Sequence, residues 1–338
     1  MPEIYPHLRR LLFQLPPEEA HHLALRALDF AVRMPGVWAL LRRLTQPLTS
    51  TPVRVFGLSM PNPIGIAAGF DKDGLHIKSL EALGFGFVEI GSVTARAWAG
   101  DPKPRIARVP AALAMVNKVG LPSRGAADVE RRLSLAPHRS VPLFINIAKT
   151  ADPAIVGNEA IQDYCESAER LRAHADVIVL NISCPNTADG RTFEDPEHLA
   201  HLLDSVMPVC HQTPVSVKVS PDLDRTVLRE LVSVAIERGV AGFTATNTTR
   251  SHAGLQASKL PPRLRDSGGV SGAPLRELAL RTVRVISEET HGAVPIVGLG
   301  GCMSALDAAR FFDAGATLIQ VYSALVYNGP SVVRQLCS

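Results

Sequence analysis

Short apolar runs recur along most of the chain, and amphipathic stretches separate several of them. The runs are rich in Val, Ile and Phe and have no polar side, which is typical of strands buried on both faces. The eight runs are residues 63–68, 86–91, 142–147, 177–182, 215–219, 241–246, 295–298 and 317–322. Helical periodicity occupies residues 75–83, 159–173, 196–206, 224–238, 275–289 and 304–314. The pattern therefore predicts strands that alternate with helices.

This alternation predicts a parallel sheet covered by helices. Eight βα units favour an α/β fold of the closed (β/α)8 TIM-barrel type over an open dinucleotide-binding sheet. The glycines Gly298, Gly300 and Gly301 are the competing feature, but they follow the seventh run rather than the first and complete no GxGxxG motif. In a barrel, glycines after the seventh strand are typical of a phosphate-binding turn.

Two segments fall outside this alternation of strands and helices. Residues 1–47 are predicted to be an N-terminal helical extension, with helices at 7–14 and 17–34, and residues 48–338 are predicted to be the barrel. The second helix has one apolar face, which suits packing on the barrel or, alternatively, an apolar entrance or a peripheral contact with a membrane surface. Residues 98–139 form a long connection rich in Pro, Gly and Arg, and we expect it to act as a lid.

Composition narrows the class of protein. The 338 residues are 46% hydrophobic and 20% charged, as in an ordinary folded chain. A net charge of +3 gives no support to a nucleic-acid partner, and no apolar stretch is long enough to cross a membrane. The five cysteines are scattered without a CxxC pair, so neither a disulfide framework nor a metal site is expected. With no secretory signal pattern, the sequence predicts a cytoplasmic protein.

The predicted strand ends are rich in amides, glycines and lysines. Buried amides and lysines are unfavourable unless something pairs with them, and a ligand with alternating C=O and N–H groups plus a phosphate would do so. No Ser-His-Asp pattern, HExxH motif or carboxylate pair indicates a hydrolase. The amides and lysines are Lys72, Asn146, Asn181, Asn186, Lys218 and Asn247 at the predicted strand ends, with Asn117 in the expected lid.

Nine motifs carry a resemblance to a known family. They are AAGFDKDG, GSVT, INIAK, NISCPNT, VKVSPDL, ATNTT, GGVSGAPL, VGLGG and LIQVYSALVYNGP. Together they resemble the dihydroorotate dehydrogenase family, which consists of FMN-dependent (β/α)8 oxidoreductases of pyrimidine biosynthesis. The resemblance implies oxidation of dihydroorotate to orotate, with proton abstraction by a base and hydride transfer to the flavin.

The resemblance also implies roles for individual residues. Cys184 falls at the position of the catalytic base. The FMN contacts fall on Ala68, Gly69, Thr94, Asn146, Lys218, Thr246, Gly272, Gly301, Tyr322 and Ser323. The substrate contacts fall on Lys72, Asn117, Asn181, Asn186, Asn247 and Thr248.

The motifs combine features of two classes within that family. The N-terminal helices, AAGFDKDG and ATNTTR are similar to the membrane-associated class that reduces quinone. Cys184 and the segment Gly120-Leu121-Pro122 are similar to the soluble class instead. Quinone is the expected electron acceptor. The alternatives are a related flavoenzyme acting on another cyclic amide or amino-acid-derived substrate, and a flavin-binding protein without turnover.

Overall fold

The computed structural model describes residues 4–49, 52–136, 138–183 and 192–338. Two residues singled out by the sequence, Cys184 and Asn186, lie outside the described residues.

Three helices precede the barrel: α1 Tyr5–Leu12, α2 Pro17–Arg33 and α3 Val37–Thr45. The first two agree with the expected helices, and α3 was not expected. Helix α2 begins with a proline followed by Glu18 and Glu19, which suits its N-terminal end because carboxylates favour the positive end of the helix dipole. No helix in the described part of the chain is both long enough and apolar enough to span a bilayer.

The strands that follow include all eight expected runs. They are β1 Val53–Val55, β2 Leu58–Met60, β3 Ile64–Ile66, β4 Phe87–Val93, β5 Ile106–Val109, β6 Ala114–Asn117, β7 Leu143–Ile147, β8 Val177–Asn181, β9 Val215–Val219, β10 Gly242–Ala245, β11 Gly269–Gly272, β12 Ile296–Leu299 and β13 Leu318–Val321. Strands β3, β4, β7, β8, β9, β10, β12 and β13 are parallel and close into a barrel in that order. The predicted (β/α)8 fold is therefore confirmed.

Helices connect and cover these strands. They are α4 Ile77–Glu81, α5 Ala126–Ser134, α6 Asn158–Leu171, α7 Pro196–Cys210, α8 Arg225–Glu237, α9 Arg276–Glu289, α10 Ala305–Asp313, α11 Ser323–Asn328 and α12 Val332–Leu336. The main apolar core lies between them and the outward-facing strand residues, such as Ile66, Ile90 and Leu180. Because these strands are buried on both faces, most of them lack the alternation of a half-exposed sheet. Strand β9 does alternate, and its Lys218 lines the cavity inside the barrel.

The inside of the barrel is apolar at one end and polar at the other. At the N-terminal ends of the strands, Phe87, Phe144 and Val179 belong to a buried cluster that Val55 and Met60 of the β1–β2 hairpin cover. These residues form an apolar floor, and in the described part of the chain the cavity opens at the opposite end of the barrel.

The expected lid contains regular structure. Residues 98–139 include β5, β6 and α5, and β6 pairs with both β5 and the distant strand β11 to form a three-stranded antiparallel sheet. This sheet stands beside the C-terminal strand ends and brings Asn117 opposite Gly269.

Candidate active site

A cavity of about 940 Å³ opens at the C-terminal ends of the barrel strands. This is the end at which (β/α)8 enzymes carry their active sites. One side of the cavity continues outward between α1, α2 and the β5–β6 sheet, along an apolar passage that we call the side channel. The side channel is lined by Leu8, Leu12, Phe13, His21 and Leu28.

Polar side chains form a connected layer at the base of the cavity. Asn181 donates to Ser92 Oγ at 3.0 Å, and Ser92 in turn donates to Asn146 Oδ1 at 2.5 Å. Asn146 and Gln320 both donate to the fully buried carboxylate of Glu89, at 2.9 and 2.5 Å. The Oε1 atom of Gln320 is buried at the cavity wall and has no hydrogen-bond partner among the described residues. It can therefore accept a hydrogen bond from a ligand.

Asn247 is held in one orientation beside this layer. Its side-chain nitrogen lies 2.9 Å from the Ser183 carbonyl oxygen and 3.2 Å from Asn181 Oδ1, and its Oδ1 accepts from the Thr248 N–H at 2.8 Å. These contacts fix which amide atom faces the cavity, so the site is arranged before a ligand binds.

Two glycines and two hydroxyls meet on the β11 side of the cavity. Gly272 and Gly301 both have positive φ, and a Cβ on Gly301 would lie 2.8 Å from the Gly272 carbonyl oxygen. The hydroxyls of Ser271 and Ser323 are 2.9 Å apart and also line the cavity. Backbone amides at glycine turns together with hydroxyl groups form a typical cradle for a phosphate.

The segment between β3 and α4, residues 67–76, forms a further wall and carries Lys72. We call it the β3–α4 loop. Its conformation is set by Asp71, whose carboxylate accepts from the N–H groups of Leu75 and His76 at 2.9 and 2.7 Å. Burial raises the pKa of Asp71 despite these bonds. The loop is also tied to β4, since Gly69 donates to the Gly91 carbonyl at 2.7 Å.

Aromatic rings separate the side channel from the strand ends. The His21 ring meets the edge of Phe70 at 4.8 Å between centroids, and Phe70 meets Tyr322 at 5.4 Å. Burial lowers the pKa of His21 to about 4, so its imidazole is neutral at physiological pH. Burial raises the pKa of Tyr322 to about 12, so its hydroxyl keeps its proton. The neutral imidazole has one donor and one acceptor nitrogen, and the Tyr322 hydroxyl keeps a proton that it can donate.

An ion pair joins α2 to the lid beside these rings. Arg105 of the segment before β5 lies 2.9 Å from Glu18, and both side chains are mostly buried. Arg105 also donates to the carbonyl groups of Ala99 and Asp101. The pair fixes the N-terminal end of α2 against the lid.

Most of the residues predicted from the sequence come together at this cavity. Those that line it are Ala68, Gly69, Lys72, Asn117, Asn181, Lys218, Thr246, Asn247, Thr248, Gly272, Gly301, Tyr322 and Ser323. Two predicted residues do not line the cavity. Asn146 lies behind Ser92, from which it accepts a hydrogen bond. The hydroxyl of Thr94 donates to the Arg96 carbonyl, and its backbone N–H donates to the Ser123 hydroxyl. The positions of Cys184 and Asn186 fall outside the described part of the chain.

Sequence reasoning missed several residues of this site. Ser92 and Gln320 lie inside or beside apolar runs, where periodicity gives no reason to single them out. All three serine and glutamine residues lie within quoted motifs, Ser92 in GSVT, Ser271 in GGVSGAPL and Gln320 in LIQVYSALVYNGP, and could have been identified there. His21 was counted only as part of the predicted helix at residues 17–34.

The fold and the cavity together are typical of a (β/α)8 enzyme, with a glycine turn and hydroxyl groups that suit a phosphate and with an apolar side channel. A model of the family described as dihydroorotate dehydrogenase matches residues 50–338. The dihydroorotate dehydrogenase (quinone) of Thiobacillus denitrificans is 40% identical over 343 residues, covering 98% of each chain. The corresponding protein of Anaeromyxobacter sp. is 44% identical over 339 residues, covering 98% of this chain and 91% of its own.

Solved structures agree with this relationship. DHODH of Eimeria tenella in complex with ferulenol superposes with a TM-score of 0.80 at 29% identity, covering 96% of this chain and 92% of that one. The chain belongs to the dihydroorotate dehydrogenase family, and the resemblance seen in its sequence is confirmed. Because the chain belongs to this family, the protein is an oxidoreductase, and a flavin cofactor is implied.

Proposed function

We propose that the protein binds FMN and oxidises dihydroorotate to orotate in pyrimidine biosynthesis, with a quinone as the electron acceptor. The observation that carries the proposal is the single cavity that joins an amide-lined pocket at the strand ends to the apolar side channel. Such an arrangement suits two successive ligands, one polar and one apolar, that approach the same cofactor from different sides.

The residues present fit FMN. The glycines Gly272 and Gly301 and the hydroxyls of Ser271 and Ser323 suit the phosphate. The unpartnered Oε1 of Gln320, with Lys218 and Asn146 nearby in the barrel, suits a ring edge that alternates donors and acceptors. Ala68, Gly69, Thr94, Thr246 and Tyr322 complete the proposed contacts. When bound, FMN supplies the acceptor for a hydride.

Substrate binding is assigned to the amides around the pocket. Asn117, Asn181, Asn186, Asn247 and Thr248 would hold the ring, while the ammonium group of Lys72 would neutralise the substrate carboxylate. Cys184 is the proposed base, which would take the proton from the carbon beside the ring carbonyl. Orientation by fixed amides is effective because Asn181 and Asn247 are already held by Ser92 and Ser183.

The quinone is assigned to the side channel. Its apolar lining from α1 and α2 suits an isoprenoid tail, and the neutral rings of His21 and Tyr322 at its inner end suit the quinone oxygens. Relatives whose names specify quinone align with nearly the whole chain, including the N-terminal helices.

The outer surface of α1–α3 supports peripheral membrane contact on the cytoplasmic side. Leu11 and Phe30 are 63% and 70% exposed, and Arg10 and Arg33 lie beside them on the same helices. Exposed apolar side chains with flanking basic residues are typical of helices that lie in a membrane interface. A quinone could then enter the side channel from the bilayer.

The direct test is anaerobic mixing of the flavin-loaded protein with dihydroorotate, followed by reoxidation with each acceptor in turn. We expect bleaching of the flavin absorbance by dihydroorotate and rapid recovery with a long-tailed quinone. Fumarate should reoxidise the flavin far more slowly. Absence of bleaching, with bleaching by a different cyclic amide, would instead support the related-substrate alternative that Cys184 and Leu121-Pro122 raise.

A further inference from the structure

A polar contact lies within the packing of α2 on α4, at the end of α2 remote from Glu18. Asp29 Oδ2 lies 2.7 Å from His76 Nδ1, and Asp29 Oδ1 accepts from the Ser79 hydroxyl at 2.5 Å. The side chains of Asp29 and His76 are only 25% and 15% exposed. Both carboxylate oxygens of Asp29 are thus bound by groups at the start of α4.

His76 continues this contact into the active site. Its ring bonds to α2, whereas its backbone N–H bonds to the buried carboxylate of Asp71 at 2.7 Å. The Asp71 carbonyl accepts from the N–H of Gly91 on β4 at 3.1 Å. A short series of hydrogen bonds therefore runs from α2 through the β3–α4 loop, which carries Phe70 and Lys72, to a barrel strand.

The same region holds the wall between the side channel and the cofactor pocket. His21 lies two turns before Asp29 on α2 and meets Phe70 of the β3–α4 loop. That contact requires a fixed separation between α2 and the loop. Glu18 and Arg105 set the separation at one end of α2, and the Asp29 contact sets it further along the helix.

We propose that Asp29 is a positioning residue for the oxidative half of the reaction. By holding His76 and Ser79 it keeps α2 seated on the β3–α4 loop, so that His21 and Phe70 present a formed inner end of the side channel to the quinone. The inference rests on the proposed function, because it assigns the quinone to that channel. The Asp71 bonds keep the β3–α4 loop itself in place, so the reductive half-reaction does not depend on Asp29.

The test compares Asp29→Ala with Asp29→Asn in the flavin-loaded protein. Asparagine keeps an oxygen for the Ser79 hydroxyl and places an amide nitrogen beside His76 Nδ1, whereas alanine removes both contacts. Asp204→Ala is the matched control. Asp204 is an aspartate on α7 that pairs with Arg238 at 3.0 Å, and it does not line the cavity.

Two readouts are measured. Hydrogen exchange in residues 17–33 should become about tenfold faster in Asp29→Ala, since the helix opens locally more often. The KM for decylubiquinone should rise by about tenfold, while the rate of anaerobic flavin reduction by dihydroorotate stays within about twofold. Asp29→Asn and Asp204→Ala should resemble the parent in both.

Three results would overturn the proposal: unchanged exchange in α2, equal loss in both half-reactions, or an Asp29→Asn variant as impaired as Asp29→Ala. Failure of the proposed function looks different. In that case the parent flavin is not reduced by dihydroorotate at all, while the exchange measurement still reports whether Asp29 holds α2.

Discussion

At the scale of single residues, the burial of His21 makes the stability of the fold depend on pH. Its pKa is about 4 in the fold and 6.5 in an unfolded chain, because burial disfavours the imidazolium. Between these values the unfolded state binds more protons than the folded one. Stability from this group is therefore fully present above pH 6.5 and is lost as the pH falls towards 4.

The predicted loss is about 3 kcal/mol of unfolding free energy across that range. Chemical denaturation at pH 7 and pH 4.5 should show His21→Phe losing clearly less stability than the parent on acidification. His201→Phe is the control, because His201 is exposed on α7. An identical acid response in the parent and His21→Phe would show that His21 is not the group responsible.

Cys184 is the second residue whose chemistry can be tested alone. If its thiolate takes the substrate proton, Cys184→Ala should slow anaerobic flavin reduction by dihydroorotate about 10²-fold. Flavin content and quinone-driven reoxidation should remain near those of the parent. Cys165→Ala serves as the control, since Cys165 lies on α6 and outside the cavity lining. A Cys184→Ala protein with parental reduction kinetics would rule out this base.

At the scale of elements, strand β11 and the turn after β12 act together through two glycines. Gly272 ends β11 with a φ of 91°. A Cβ on Gly301 would lie 2.8 Å from the carbonyl oxygen of Gly272 and 2.8 Å from the backbone nitrogen of Arg276. The turn after β12 therefore packs directly against the end of β11 and the start of α9, and residue 301 has no room for a side chain.

Gly301→Ala is predicted to reduce flavin affinity by about tenfold or more, because backbone strain and the close contacts distort the cradle. The flavin-to-protein ratio after purification and the dissociation constant for added FMN measure this. Gly254→Ala is the matched control: it has a similar positive φ of 79°, yet its Cβ meets nothing within 4 Å. Equal flavin binding by the two variants would exclude the assigned cradle.

At the scale of the whole molecule, exposed apolar residues are prominent on α1–α3. Replacing both Leu11 and Phe30 with glutamate should lower binding to vesicles of anionic lipid about tenfold or more, because each buries apolar surface in the interface. Co-sedimentation with the vesicles measures it. Leu306→Glu on α10 is the control, since Leu306 is 73% exposed but belongs to no such group. If the double variant binds the vesicles as well as the parent does, α1–α3 are not the surface that contacts the membrane.

The sequence predicts the barrel well because each barrel strand lies in a short, mainly apolar run that has its own local signal. It does not predict the β5–β6–β11 sheet, in which residue 117 pairs with residue 269 and each strand has only four residues. These strands contain polar residues and glycines and are not fully buried, so they leave little local pattern, and pairing between distant segments has no local signal. The same limit hides the contact between Gln320 and Glu89, which lie 231 positions apart.

The apolar floor of the barrel also determines how protons travel. The apolar side chains of Phe87, Phe144 and Val179 close this end beneath the β1–β2 hairpin, and the hydroxyls of Ser216 and Thr244 on the neighbouring strands are fully buried. In the proposed reaction, a proton taken from dihydroorotate must therefore leave through the end of the barrel at which orotate departs. Proton release and product release would share one exit, and a solvent isotope effect should then report on product release as well as on the chemical step.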